Sequence, residues 1–230
     1  MNNKSKFIAI EGLDGSGKST QIEKLIKYLE TIGIYTKFIH FPRHNQGIFG
    51  ELISRFLRGE FGSVDQVHPQ LVALLFAEDR KDFAATISNW LEEGYFVLVD
   101  RYVLSNIAFQ CAKTQQSEEK IALKNWINTF EYEYNKIPKP DLSIYLEVPF
   151  SFTQKALNDR KISQEREYLN GNDDIHENDF SLQLAVKQEY ENMSQTDESI
   201  TRIVCYNDQN QMRSIDDIHI DIVSCIKSTL

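Results

Sequence analysis

The stretch Phe7-Ile8-Ala9-Ile10-Glu11-Gly12-Leu13-Asp14-Gly15-Ser16-Gly17-Lys18-Ser19-Thr20 constrains this chain more than any other. It opens as an apolar run long enough for a buried strand, passes through three glycines and ends where a helical pattern begins. Ile22, Leu25, Ile26 and Leu29 fall at the i, i+3, i+4, i+7 spacing of one helix face. Between strand and helix sits G-x-x-x-x-G-K-S, Gly12 to Ser19, the pattern of a phosphate-binding P-loop. A triphosphate needs several backbone N–H donors curled into a concave nest, and residues without side chains let the backbone come that close. The first turn of the helix adds unpaired N–H groups and the positive end of its dipole. Lys18 can reach the outer phosphates, and the Ser19 hydroxyl can ligate a bridging Mg²⁺. A glycine-rich turn that binds nothing is the alternative, and the strand-loop-helix context argues against it.

At 230 residues the chain fits one α/β domain, or one with an inserted lid. A net charge of −9 argues against a general nucleic-acid or anionic-membrane surface. No apolar run approaches the roughly 20 residues of a bilayer span. Residues 1–6 lead straight into the first strand with no signal-peptide core. Cys111, Cys205 and Cys225 are odd in number and lack metal-ligand spacing, which fits free thiols in a reducing compartment, with the cytoplasm as the default.

After the first helix, Gly33 reads as a stop and Ile34 to Phe41 as a second strand, ended by Pro42. Ile48, Leu52, Ile53, Phe56 and Leu57 mark a short helix. Pro69 opens a longer one that runs to about Leu91. Tyr95 to Val99 is a continuous apolar strand ending in Asp100-Arg101. A helix is expected over Ser117 to Phe130, with Ile121, Trp126, Ile127 and Phe130 inward. Strands follow at Leu142 to Leu146 and Arg202 to Tyr206. Helices follow at Glu177 to Met193 and after Ser214, a predicted N-cap. The polar, Gly/Asn-punctuated segment at about 158–176 reads as a mobile lid. Strands alternating with helices, several strands being apolar throughout, predict a parallel sheet covered on both faces. Ligands in such sheets bind beyond the strand carboxyl ends. That rule gathers the P-loop with Asp14, Phe41-Pro42-Arg43, Asp100-Arg101 and the residues after Leu146 into one cleft, with Phe76 to Arg80 as its far wall.

Together these pieces resemble the thymidylate kinases. The matching segments are F-I-A-I-E-G-L-D-G-S-G-K-S-T-Q at the start, F-P-R at Phe41 to Arg43, L-L-F-A-E-D-R at Leu74 to Arg80, D-R-Y-x-x-S-N-x-A-F-Q at Asp100 to Gln110, P-K-P-D-L at Pro138 to Leu142 and D-I-H-E at Asp174 to Glu177, with Tyr190 beyond. The resemblance implies a single nucleoside monophosphate kinase domain over residues 1–230. Its fold would be the three-layer P-loop NTPase fold, a five-stranded parallel sheet flanked by helices, plus the lid. The implied reaction moves the γ-phosphoryl of ATP to dTMP, giving dTDP and ADP in dTTP synthesis, with Mg²⁺. The implied assembly is a homodimer.

The resemblance assigns ATP to Gly12, Leu13, Asp14, Gly15, Ser16, Gly17, Lys18, Ser19 and Thr20. Asp14 matches the family residue near the sugar 3′-hydroxyl and acceptor phosphate. Phe76 matches the position that stacks on thymine, an isolated helical Phe being otherwise a core residue. Arg80, one turn on, can reach O4 of the base, or could be a solvated surface charge. Arg43 and Arg101 suit the acceptor phosphate, because a guanidinium fork matches phosphate oxygens bidentately. Phe41 and Pro42 accompany Arg43 on the substrate side. Ser105, Asn106 and Gln110 could hydrogen-bond the base edge, and Glu177 could orient lid or sugar contacts. Asp100 ends a buried strand, where a carboxylate is costly without a cation or donor. A place near Mg²⁺ together with Ser19, or an ion pair with Lys or Arg, answers that cost.

Some thymidylate kinases carry an arginine among the variable P-loop positions, and others supply the cation from the lid. Here those positions are Leu13, Asp14, Gly15 and Ser16, so catalysis is expected to draw on Arg160, Lys161 or Arg166, alongside Lys18, Asp100 and Arg101. His176 departs from the aromatic or aliphatic residue common in relatives. A deoxynucleoside kinase or another pyrimidine nucleoside monophosphate kinase is the competing reading. A switch GTPase is disfavoured by the missing N-K-x-D.

Overall fold

The computed structural model describes residues 5–163 and 167–227, with the backbone alone for residues 160–163. In chain order the elements are β1 (Lys6–Glu11), α1 (Lys18–Thr31), β2 (Thr36–His40), α2 (Gly47–Leu57), α3 (Pro69–Glu92), β3 (Phe96–Asp100), α4 (Val103–Cys111) and α5 (Ser117–Asn128). A π-helical turn at Thr129–Tyr134 leads to β4 (Leu142–Glu147), α6 (Phe150–Ser163), α7 (Ile175–Asn178), α8 (Phe180–Thr196), β5 (Ile200–Val204) and α9 (Ile215–Lys227). All strands pair in parallel in the order β2-β3-β1-β4-β5. This is the expected α/β P-loop fold.

Strand periodicity explains why helices cover both faces. Phe7, Ala9, Val97 and Val99 point one way, into a core shared with Ile107 of α4, Ala84 of α3 and Val186 of α8. Ile8, Ile10, Leu98 and Ile144 point the other way, against Ile22, Leu25 and Leu29 of α1 and Ile218, Ile222 and Ile226 of α9. The predicted stripe of the first helix packs; of the apolar positions Ile215, Ile218, Ile222 and Ile226 expected inward on the last, all but Ile215, which is 53% exposed, do so. Ser214 caps α9 as expected, its Oγ accepting from the Asp217 N–H at 3.0 Å.

Several boundaries differ from expectation. Strands β2 and β3 start after Ile34 and Tyr95, because both apolar residues serve the preceding helix instead. Ile34 N–H bonds Leu29 O and Gly33 N–H bonds Glu30 O. Tyr95 and Gly94 repeat the pattern with Trp90 and Leu91. Each is a Schellman ending, which wants glycine and then a hydrophobe. The helix expected to reach Phe130 turns π-helical at Thr129, and Ile121 is 61% exposed rather than inward. Asp179 divides the expected Glu177–Met193 helix into α7 and α8 by capping the second, accepting from Leu182 N–H. The last strand sits at Ile200–Val204, and Tyr206 pairs with Met212 outside the sheet.

Candidate active site

The carboxyl end of β1 opens into a loop whose glycines take left-handed angles, Gly15 at φ 74° and Gly17 at φ 88°. A Cβ on Gly15 would stand 2.9 Å from the Ala156 Cβ on α6, so loop and helix pack too closely for a side chain there. Gly17 occupies the N-cap of α1 and presents that helix's first amides, while Ser19 and Thr20 are exposed beyond it. Lys18 is buried and folded back over the loop. Its Nζ donates to Leu13 O at 2.9 Å and Gly12 O at 3.3 Å, and lies 3.8 Å from Asp100 Oδ1. Burial and the Arg101 charge lower the Lys18 pKa against the pull of Asp100 and Asp14.

Arg101 follows β3 with φ 68°, a left-handed angle that costs a non-glycine residue of order 1 kcal/mol or more. Its backbone N–H donates to Ile10 O, which ties the turn to β1. Nη2 donates to Asp14 Oδ1 at 2.7 Å and Nη1 to Ser105 Oγ at 3.1 Å. Burial opposes charge on Asp14, but Arg101 and Lys18 together outweigh it and hold the carboxyl below the usual range. Behind them lies Glu11, fully buried. It accepts from Ser105 Oγ at 2.6 Å, Tyr190 OH at 3.0 Å and Tyr102 N–H at 2.9 Å. Burial raises its pKa despite these donors. Sequence reasoning passed over Glu11, although the argument applied to Asp100, a carboxylate ending an apolar strand, fits it equally.

Asp100 is buried, with His40 Nδ1 3.3 Å from its Oδ2 and no hydrogen-bond partner for Oδ1 among the described residues. Burial pushes its carboxyl up, and Lys18, His40 and Arg101 more than reverse this. An orphaned carboxylate oxygen beside the P-loop, with the Ser19 hydroxyl, is a hard-oxygen donor set of the kind Mg²⁺ takes. The residues present therefore fit that ion.

A cavity of about 220 Å³ lies beyond the strand ends. Ten of the sequence-predicted residues line it: Asp14, Phe41, Pro42, Phe76, Arg80, Arg101, Ser105, Asn106, Gln110 and Glu177. Phe76 is half-buried on the cavity wall, and the Phe41–Pro42 peptide is cis. Arg80 is not a solvated surface charge. It is 2% exposed and pairs with Glu131, a residue missed from the sequence because the two are distant in the chain. Arg43 is not on the cavity wall. Its Nε lies 2.9 Å from Asp79 Oδ1 and its Nη2 2.6 Å from Asp82 Oδ2.

The last wall comes from α7. Asp174 caps it, accepting from His176 N–H at 2.8 Å and Glu177 N–H at 3.2 Å, and burial raises this carboxyl to about 7, with Glu177 and Asp14 adding to the shift. His176 stacks on Phe109 and meets Phe56 edge-on, with its Nε2 3.1 Å from Lys113 Nζ. Burial, with the Lys113 charge, keeps this imidazole neutral, and burial lowers Lys113 to about 7. Arg160 and Lys161 belong to the end of α6. Their side chains, and Arg166 altogether, lie outside the described residues.

Comparison with known proteins converges on one family. The family model described as thymidylate kinase matches residues 10–214. A thymidylate kinase of Plasmodium falciparum is 33% identical over 151 residues, 66% of this chain and 65% of that protein. The Thermococcus gammatolerans protein named "Probable thymidylate kinase" is 31% identical over 229 residues, 97% of each chain. Among solved structures, a thymidylate kinase from Candida albicans superposes with a TM-score of 0.71 at 26% identity, over 98% of this chain and 92% of that one.

Proposed function

We infer the reaction from one premise: the chain belongs to the thymidylate kinase family, and as such it phosphorylates dTMP to dTDP. The observation that carries this reading is the junction of the P-loop with an aromatic and guanidinium-bearing cavity through Asp14, which belongs to both, and Arg101, which lines the cavity and bonds Asp14. ATP is the donor, its phosphates held by the amides of Gly12 to Thr20 and by Lys18. Ser19 and Asp100 would hold magnesium, which when bound would supply charge neutralisation at the phosphates. Phe76 stacks on the thymine ring, and Arg80 and Asn106 meet its polar edge. Arg101, braced by Asp14 and Ser105, orients the acceptor phosphate. Arg43 joins it once its hold on Asp79 and Asp82 is shared with substrate. Gln110 and Glu177 complete the base and sugar walls.

Phosphoryl transfer leaves the protein mainly positioning and charge stabilisation to do. Asp14 keeps its charge beside Arg101, so the acceptor is met by a preset field rather than by one that must reorganise. Residues 158–176 act as a lid, bringing Arg160, Lys161 or Arg166 to the transferring group. The protein works in the cytoplasm as a homodimer, as the family resemblance implies.

The test is ADP production from ATP and Mg²⁺ with dTMP, dUMP, dGMP, thymidine or no acceptor. Turnover fastest with dTMP is expected. Brisk turnover of thymidine with none of dTMP would make the chain a nucleoside kinase instead.

A further inference from the structure

The carboxylate of Glu131 sits where no ordinary helix would place it. It belongs to the π-helical turn Thr129–Tyr134, whose wider winding is marked by Asn135 N–H bonding to Phe130 O at 2.8 Å. Glu131 is wholly buried, and its two oxygens serve two residues of the cavity wall at once. Arg80 donates to it through both Nε, at 2.9 Å to Oε2, and Nη2, to Oε1. Asn106 Nδ2 donates to Oε1 at 3.1 Å and to the Ala73 carbonyl at 3.0 Å.

These bonds fix chemistry as well as position. Both partners of the Asn106 amide nitrogen can only accept, so the amide cannot be turned round. Its Oδ1 is left as a buried acceptor with no partner among the described residues. On Arg80 the Nε and Nη2 edge is committed to Glu131, which leaves Nη1 as the end of the fork with no hydrogen bond among the described residues. One fixed acceptor and one fixed donor on adjoining wall residues match a ring that offers N–H beside C=O. Thymine and uracil carry that pair at N3 and O4. Cytosine carries the reverse, an acceptor at N3 and a donor at N4.

We propose that Glu131 is the positioning residue for base choice: by holding Arg80 and Asn106 together it selects a pyrimidine with an N3–H and a 4-oxo group. This rests on the reading of the cavity as the dTMP site. Glu131 touches neither substrate nor phosphate and acts through its two partners. The 5-methyl group lies outside its reach, so it does not separate dTMP from dUMP.

The experiment compares wild type with Glu131→Gln and Glu131→Asp by steady-state kinetics with dTMP, dUMP and dCMP, and by calorimetric binding of each monophosphate without ATP. In Glu131→Gln, KM and Kd for dTMP and dUMP are expected to rise together by about tenfold, the scale of one charge-assisted hydrogen bond. The KM for ATP should stay within about twofold. The preference for dTMP over dCMP should contract by about tenfold while the dTMP to dUMP ratio holds. Glu131→Asp, which keeps the charge on a shorter arm, should recover part of the loss, and it carries the test alone if the Gln variant does not fold. A loss spread evenly over all three monophosphates, or a preference for dTMP over dCMP equal to wild type, overturns the proposal. Wild-type protein that ignores dTMP would overturn the reading of the site itself, a separate result.

Discussion

Asp174 shows how strongly a single burial can set behaviour. Its carboxyl is raised from 3.8 to about 7 by burial, with Glu177 and Asp14 adding to the shift. Between those values the folded protein holds a proton that the unfolded chain has released. This contribution to stability is therefore complete below about pH 4 and is lost as pH rises through about 7. Asn keeps the cap on α7 without the charge. Asp174→Asn is expected to gain about 2–4 kcal/mol on wild type between pH 4 and 8, read from urea midpoints at each pH. A difference that does not vary with pH would mean that Asp174 titrates normally. For Arg101, substitution by Lys keeps the charge but cannot satisfy Asp14 and Ser105 together. We expect kcat/KM for dTMP to fall about 10²-fold with the KM for ATP little changed, and a drop under about threefold would remove Arg101 from acceptor positioning. Phe76, Arg80 and Asn106 were legible as site candidates because motif and helical spacing both pointed to them. Glu131 and Glu11 were not, since a buried carboxylate reveals its purpose only through partners far along the chain.

Among the elements, α1, α3 and α9 were read almost to the residue from apolar period, Pro69 and Ser214. The starts of β2 and β3 were misread for one reason, that a hydrophobe after glycine looks the same whether it begins a strand or closes a helix. The π-helical turn has no sequence period to betray it. The packing of α2 offers a direct test of how that helix supports the acceptor side. A Cβ on Gly50 would stand 2.0 Å from the Arg43 carbonyl oxygen, and this contact is with backbone, which cannot swing aside. Gly50→Ala is expected to cost about 1–3 kcal/mol and to raise the KM for dTMP by shifting the Phe41–Arg43 segment, with the KM for ATP unaffected. Thermal melts with both KM values check it, and an unchanged Tm would show that α2 yields freely.

At the scale of the molecule, a ligand that occupies the cavity should stabilise the whole fold, because its walls come from α3, α4, α7 and the ends of β1, β2 and β3. Free dTMP at 100 times Kd is expected to add about 2.7 kcal/mol, which raises Tm by roughly 5–10 °C in a chain of this size. Thymidine, lacking the phosphate that Arg101 meets, should add much less, and equal shifts would deny the phosphate its part. Alanine at Arg160, Lys161 and Arg166 in turn should lower kcat at one position with nucleotide KM nearly unchanged, and three wild-type values would end the lid-cation reading. Sedimentation at micromolar concentration checks the homodimer. The sheet order carries its own consequence for how the chain is made. β1 lies between β3 and β4, so the phosphate loop is suspended from a strand whose two neighbours are synthesised long after it. A nascent chain stopped before Leu142 leaves one flank of that strand bare, and the grip on nucleotide must await the ribosome's passage through β4.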